Sequence, residues 1–184
     1  SDIGIRCLAV GLAAASCFTT VERAQARVPL YFQNFDSLTL GPNVDETEPV
    51  DATAWTQTPP AGWTVDDSGV PYLNNPDVGT TEWEGWSFAD KNWWGATAGD
   101  QQRGQFTLGQ GNVAVADPDE WDDKAYPMTI LPFAGYYSAR MSTGAISLTG
   151  VSPGAAKLTF SSSWRAECCD EGPENANNPT ASVQ

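Results

Sequence analysis

The absence of histidine decides most of the catalytic chemistry open to this sequence. None of its 184 residues is His, which excludes Ser-His-Asp and Cys-His nucleophiles, His-bound zinc and His-dependent dinuclear metal centres. Carboxylates are abundant instead, because 23 acidic residues stand against 9 basic ones and give a formal net charge of −14. Of the common catalytic designs, only a carboxylate pair of the kind that glycosidases use remains open.

Glu82 and Glu84 are the candidate carboxylate pair. They lie two residues apart in the run EWEGWS, so in an extended segment both side chains would share one face of a strand. A glucanase-like pattern needs a third acid in register, and the run lacks it. The sequence therefore favours the alternative, two exposed acids at the end of a strand, over a glycosidase-like centre.

The densest acidic cluster is the run DPDEWDD at 117–123. Carboxylates so close together repel one another unless a cation lies among them, and oxygen ligands suit calcium. We predict a calcium site made by Asp117, Asp119 and Asp122, with Asp36 approaching from the end of the first predicted strand. The run lacks the glycine and the distal glutamate of an EF-hand. A solvated acidic loop, in which aspartates cap turns, is the alternative.

Tryptophan is the other unusual feature, with 8 residues in the chain. Sugar rings stack on exposed indoles, so a glycan platform is one interpretation, and core packing is the competing one. If the segment around Trp93 and Trp94 is extended, the two indoles point to opposite faces, one into the core and one to the surface. The predicted ligand-binding residues are Trp93, Trp94, Asp90, Asn92, Asp100 and Gln101.

The first 26 residues predict export. Arg6 precedes an uncharged stretch at 7–20 that is too short to span a bilayer, and Ala24-Gln25-Ala26 offers a cleavage site. We predict a signal peptide at 1–26, a secreted domain at 27–184 and no membrane span; lipidation at Cys17 is the alternative. The chain begins without Met, so we expect its start to lie upstream.

The remaining cysteines and the charge bear on partners. Cys168 and Cys169 are adjacent, so they form a strained ring with each other or pair with cysteines outside this sequence. The acidic surface repels phosphate backbones, which excludes nucleic acid as a partner.

Short alternating segments separated by Gly, Pro and Asn indicate an all-β domain. Loops are predicted at 41–60, 67–81 and 117–123, and a last strand only begins at 180–184. We predict a two-sheet antiparallel β-sandwich of the jelly-roll, concanavalin-like kind, incomplete at its carboxyl end, with further domains expected beyond it. Strands are predicted at 28–35, 63–66, 86–88, 104–108, 112–116, 139–148 and 156–165.

Several runs carry a family resemblance. NFDSLTLGP, PPAGW, EWEGWSF, NWWGATAGDQQR, VAVADPDEWDD and LTFSSSWRAE together resemble the amino-terminal jelly-roll segment of large secreted bacterial proteins of the planctomycete type. The resemblance implies a sandwich similar to concanavalin-like and MAM-type domains, ahead of a hydrolase domain in some relatives. It also implies a calcium site that joins Asp36 to Asp117 and Asp119.

These observations predict a secreted, calcium-stabilised, non-catalytic binding or accessory module whose ligand is an extracellular glycan or cell-surface polymer. Two alternatives stay open: a glycosidase-like enzyme of the concanavalin-like class, and a structural spacer ahead of a hydrolase domain.

Overall fold

The computed structural model describes residues 29–46, 49, 53–97, 102–123 and 137–164. The predicted signal peptide with its cleavage and lipidation sites lies outside the described residues. So do Asp100, Gln101, Cys168, Cys169 and the predicted strand start at 180–184.

Two antiparallel sheets form the framework of the described residues. Their strands are β1 (Gly41–Pro42), β2 (Thr53–Thr56), β3 (Trp63–Gly69), β4 (Ser87–Asp90), β5 (Asn112–Val115) and β6 (Ser138–Thr143). The larger sheet has the order β1-β2-β4-β5, and β3 pairs with β6 in the smaller one. The chain is therefore β-rich and antiparallel, as the sequence predicts, while the jelly-roll sandwich stays a prediction.

The larger sheet holds the core because its central strand is apolar on both faces. In β4, Phe88 and Ala89 point to opposite sides and both are fully buried. On the neighbouring edge strand β5, only Val113 and Val115 are buried, and the residues between them are partly exposed. A strand buried on both faces needs a layer on each side, and short helices provide part of this cover.

The smaller sheet is covered on one side only. Val65 of β3 faces Met141 of β6 and Asp66 faces Arg140. Along β3 half-buried and exposed residues alternate, and β6 begins with the same alternation. This is the pattern of an antiparallel pair with one face against the protein and one in water.

Two short α-helices and two 3-10 helices interrupt the strands: η1 (Thr81–Trp83), α1 (Lys91–Thr97), η2 (Arg103–Gln105) and α2 (Pro118–Asp123). Among the described residues, no helix has the length and apolarity needed to cross a membrane. The helix α2 packs on η1, and α1 packs on β4 and η2. Four tryptophans are buried in the core: Trp55, Trp83, Trp93 and Trp121.

The helices arise from local caps. Asp90 accepts hydrogen bonds from the backbone N–H groups of Asn92 at 3.0 Å and Trp93 at 2.9 Å, which caps α1. Asp117 accepts from the N–H of Glu120 at 3.3 Å, and Pro118 occupies the first helical position of α2. The acidic run 117–123, predicted as a loop, is therefore a capped helix.

Three predicted strands are wrong within the described residues. Residues 29–35 form no strand, and the chain turns at Phe35, which takes a left-handed conformation at φ 66°. Residues 104–108 begin inside η2 instead, and 156–164 belong to no strand or helix. The predicted loop 41–60 is also partly wrong, since β1 and β2 lie in it.

Candidate functional site

The centre of the site is a buried arginine. Arg103 of η2 is 6% exposed, and its Nε donates to Asp117 Oδ2 at 2.9 Å. Its Nη2 lies 3.0 Å from Glu120 Oε1 and 3.5 Å from Asp119 Oδ2. Burial alone would lower the pKa of Arg103, but its hydrogen bond to Asp117 and the three neighbouring carboxylates outweigh this effect and raise it. The guanidinium is therefore permanently charged and partly neutralises the acids of α2.

An indole completes this network. Trp94 of α1 donates its Nε1–H to Asp117 Oδ2 at 2.8 Å, and Arg103 Cζ lies 5.8 Å from the centre of its ring. Both contacts hold the half-buried indole in one orientation, the second as a cation–π contact. Asp117 thereby joins α1, η2 and the amino end of α2 through one carboxylate.

The predicted calcium ligands are only partly brought together. Asp117, Asp119 and Asp122 lie on or next to α2, and Arg103 contacts the first two. Asp36 lies elsewhere, because its Oδ1 accepts from the N–H of Asn112 at 2.9 Å, at the opposite end of β5. The length of β5, about 10 Å, separates that end from Asp117.

Across the described residues, no group of three or more His, Cys, Asp or Glu side chains could hold a metal ion. Calcium stays a prediction. Arg103 supplies part of the positive charge that calcium was predicted to bring to the acidic run.

Glu82 is a structural acceptor. It lies in η1 and is fully buried, and its carboxylate accepts the backbone N–H groups of Val44, Asp45 at 2.9 Å and Glu46 at 3.4 Å. In return, Asp45 Oδ2 accepts the N–H of Thr81 at 2.9 Å. We call residues 43–46 together with η1 the carboxylate clamp.

Glu84 is also buried, and its Oε2 accepts the N–H of Asn74 at 3.3 Å. The prediction that Glu82 and Glu84 share a strand face is wrong, because the chain turns through η1 between them. The alternative of two exposed acids is wrong as well. Backbone donors from distant loops, which no local pattern shows, bind both carboxylates.

Glu46 adds a side-chain contact between residues 43–46 and η1. Its Oε1 accepts the Nε1–H of Trp83. Burial raises the pKa of Glu46 and the nearby charge of Glu82 raises it further, while the Trp83 bond works against both. The clamp therefore holds three carboxylates, those of Asp45, Glu46 and Glu82, close together and partly out of water.

The hydroxyl of Tyr137 ties the end of η1 to the last described segment. It accepts the N–H of Gly85 at 2.8 Å and lies 2.8 Å from the carbonyl oxygen of Trp83, to which it can donate. Burial raises the pKa of Tyr137 well above its usual range. The phenol therefore stays protonated and serves as a structural hydrogen-bonding group.

The predicted glycan platform has a mixed outcome. Trp93 is buried and Trp94 half-buried, so the two indoles do differ in exposure. The assumed extended segment is wrong, because both residues lie in α1. Asp90 caps that helix and Asn92 is exposed on it. The binding role of these residues stays a prediction.

Sequence reasoning missed Arg103, Glu46 and Tyr137. One signal for Arg103 was available, since it is the sole basic residue between Lys91 and Lys124 while acids are frequent there. A lone arginine among so many acids is expected to pair with several of them. No comparable signal marks Glu46 or Tyr137, whose partners lie 37 and 52–54 residues away.

Comparisons with protein-family models, curated proteins and solved structures gave no match. The resemblance to jelly-roll segments of secreted planctomycete-type proteins therefore stays a prediction.

Proposed function

We propose that the chain is a non-catalytic binding module of an exported protein and that it binds a neutral glycan on the indole of Trp94. The observation that carries the proposal is the state of this indole, which packs against the core but is only half-buried, and which a hydrogen bond to Asp117 and a cation–π contact with Arg103 hold in place. An aromatic ring fixed before binding loses little conformational freedom when a ligand stacks on it.

Two exposed amides lie in or next to the elements that carry this ring and its arginine partner. Asn92 lies two residues earlier on α1, Gln102 directly precedes η2, and both are exposed. Their amides can donate to and accept from sugar hydroxyls. Partly exposed aromatic rings and exposed amides are side chains of the kinds that bind carbohydrates.

The negative charge of the protein restricts the class of glycan that it can bind. With a net charge of −14, the surface repels sulfated and uronate-rich polymers, and within the site Asp119 remains partly exposed. Neutral polysaccharides carry no such penalty. We therefore assign the site to uncharged glycans.

The acids that could have supported catalysis have structural partners. Glu82 binds three backbone N–H groups and Glu84 binds another. A glycosidase pair needs one carboxylate that can protonate a leaving group and a second that faces the sugar. Such fully engaged carboxylates support a binding role better than a hydrolytic one.

Binding to neutral polysaccharides such as xylan, mixed-linkage β-glucan and chitin fragments tests the proposal, with alginate as the polyanionic comparison. Isothermal calorimetry and affinity electrophoresis should show binding to at least one neutral polymer and none to alginate. Trp94→Ala should weaken that binding by about tenfold, since stacking on one ring contributes on the order of 1 kcal/mol.

Trp164→Ala is the matched control, because it removes a more exposed indole from another segment and should leave affinity unchanged. Circular dichroism confirms that both variants fold. Absence of binding to every neutral polymer, or equal losses from the two variants, would contradict the proposal.

A further inference from the structure

A second indole and a phenol meet at the surface where β3 begins. Trp63, the first residue of β3, donates its Nε1–H to the hydroxyl oxygen of Tyr31. Trp63 is half-buried, and Tyr31 is 42% exposed. The two side chains are therefore joined through their polar atoms, and part of each is open to solvent. We call them the Tyr31–Trp63 pair.

A ring contact on the core side fixes the indole of this pair. Phe35 lies edge-on to Trp63, with 5.5 Å between the ring centres and 76° between the ring planes. The same Phe35 ring lies 5.2 Å from the ring of Phe88, which is fully buried in β4. One ring contact and one hydrogen bond thus orient Trp63 before any ligand binds, so little side-chain freedom is lost on binding.

The chain segments that meet at the pair carry no charge. Thr143 of β6 lies opposite Trp63 in the ladder, and the N–H of Gly144 donates to the carbonyl oxygen of Gly62 at 2.7 Å. None of the segments joined here contains Asp, Glu, Lys or Arg: 29–35, 57–65 and 141–156. In a chain with a net charge of −14, an uncharged surface of this extent favours a ligand that is itself uncharged.

Two hydroxyl groups accompany the rings. Residues directly opposite each other in an antiparallel ladder share one face, with their Cβ atoms about 5 Å apart, so the exposed Thr143 lies beside the indole of Trp63. Its hydroxyl donates to the carbonyl oxygen of Gly144 at 3.2 Å and can still accept. The hydroxyl of Tyr31 accepts from Trp63 and can still donate. The surface therefore offers aromatic faces together with a donor and an acceptor.

From these observations we infer that the Tyr31–Trp63 pair is a second binding site for a neutral glycan and shares no residue with the site at Trp94. A sugar ring can stack its C–H face on the aromatic rings while its hydroxyls bond Tyr31 and Thr143. A charged ligand meets no counter-charge in these segments, and a purely apolar one would cover the two hydroxyls without bonding them. The inference rests on the proposed function for the class of ligand but not for the site.

Nuclear magnetic resonance of the indole N–H groups tests the two sites separately, because Trp63 and Trp94 each donate from Nε1. The isotope-labelled whole chain is titrated with hexasaccharides of xylan, mixed-linkage β-glucan and chitin. Trp63→Phe and Trp94→Phe identify the two signals. With at least one hexasaccharide both signals should shift, and Trp94→Ala should leave the affinity measured at Trp63 unchanged. Short oligosaccharides are used because a polymer that engages both sites has an affinity that depends on both.

Tyr31→Ala should weaken the affinity measured at Trp63 by about fivefold or more, and the affinity measured at Trp94 by no more than about twofold. Tyr31 is exposed, so the variant is expected to fold, and circular dichroism checks this. Trp164→Ala is the matched control, because it removes a more exposed aromatic ring from another segment and should change neither affinity.

The outcomes separate the inference from the proposed function. A shift at Trp94 alone, unaffected by Tyr31→Ala, would overturn the second site and leave the proposed function standing. A shift at Trp63 alone, weakened by Tyr31→Ala, would support the second site and contradict the proposed one. No shift with any of the three hexasaccharides would overturn both.

Discussion

Two regions of the molecule differ in how they bury charged side chains and expose apolar ones. The acidic body comprises the described residues between 29 and 123, and the last described segment comprises residues 137–164. In the body, carboxylates such as Asp117 and Glu82 are turned inward and bound by Arg103 or by backbone N–H groups. The last segment has no carboxylates and exposes apolar side chains such as Phe160. Buried charge is thus concentrated in the body, whereas exposed large apolar side chains occur in both regions and are more frequent per residue in the last segment.

The difference shows where stability and association should reside. A buried carboxylate is tolerated only with donors around it, so the body depends on specific partners whose removal is costly. An exposed apolar side chain adds little to folding, and burial against another surface is the way it can contribute. Substitutions should therefore have unequal effects in the two regions.

The largest effect is expected from Arg103→Met. The variant keeps most of the aliphatic stem but leaves Asp117, Glu120 and Asp119 without their cation, so the free energy of unfolding should fall by about 3–5 kcal/mol. Chemical denaturation at neutral pH measures this loss. Arg140→Met is the control, because Arg140 is exposed on β6 and its removal should cost less than about 0.5 kcal/mol. Similar losses for the two variants would remove the distinction between the regions.

The same variants also test the prediction that calcium binds to the carboxylates of α2. If calcium binds the carboxylates of α2, excess calcium should raise the melting temperature and a chelator should lower it. Because Arg103 already contacts Asp117 and Asp119, we expect Arg103→Met to lower the melting temperature more than chelation does. A larger effect of chelation would make calcium the principal counter-ion.

Local patterns predicted the parts of the fold that local forces determine. The alternation of Val113 and Val115 located β5, and the segment from Trp63 located β3. The cap Asp117 and Pro118 at the first position of α2 are local helix signals as well, but the acidic composition of the same run also fits a metal-binding loop, which is the interpretation that was predicted. A pattern of charges does not tell whether a metal ion or an arginine neutralises them.

Long-range contacts explain the other errors. Glu82 binds loop residues 36–38 positions away, and nothing in EWEGWS indicates those partners. The alternation in 156–164 is a sound strand pattern, but a strand forms only where a neighbour offers hydrogen bonds. The sequence pattern predicts the propensity of a segment to form a strand. The rest of the fold determines whether a partner strand is available.

A smaller, pH-dependent effect is expected from Glu46→Gln. The glutamine can still accept the Trp83 hydrogen bond but carries no charge beside Glu82. Burial raises the pKa of Glu46 in the folded state, so the folded protein binds that proton more tightly than the unfolded chain. The native protein is therefore penalised at neutral pH, and the penalty disappears as pH falls through the raised pKa. The variant should be the more stable protein at about pH 7, and its advantage should shrink by about pH 5.

Asp66→Asn gives the opposite sign and serves as the control for that measurement. Hydrogen bonds from the Ser68 hydroxyl and N–H lower the pKa of Asp66, so its charged form stabilises the folded state above the usual aspartate range and this contribution is lost as pH falls. Denaturation curves of both variants and the native protein between about pH 7 and about pH 3 compare the two slopes. Equal slopes would show that the clamp does not shift the pKa of Glu46.

The smallest effect is expected from Phe160→Ala, compared with the same substitution at Phe88. Phe88 is fully buried in β4, so its truncation should reduce the free energy of unfolding by about 3–5 kcal/mol through lost burial and the cavity left behind. Phe160 is 62% exposed, so its truncation should cost no more than about 0.5 kcal/mol. A large loss would show that segment 156–164 packs within its own chain, and the contrast between the two regions would then fail.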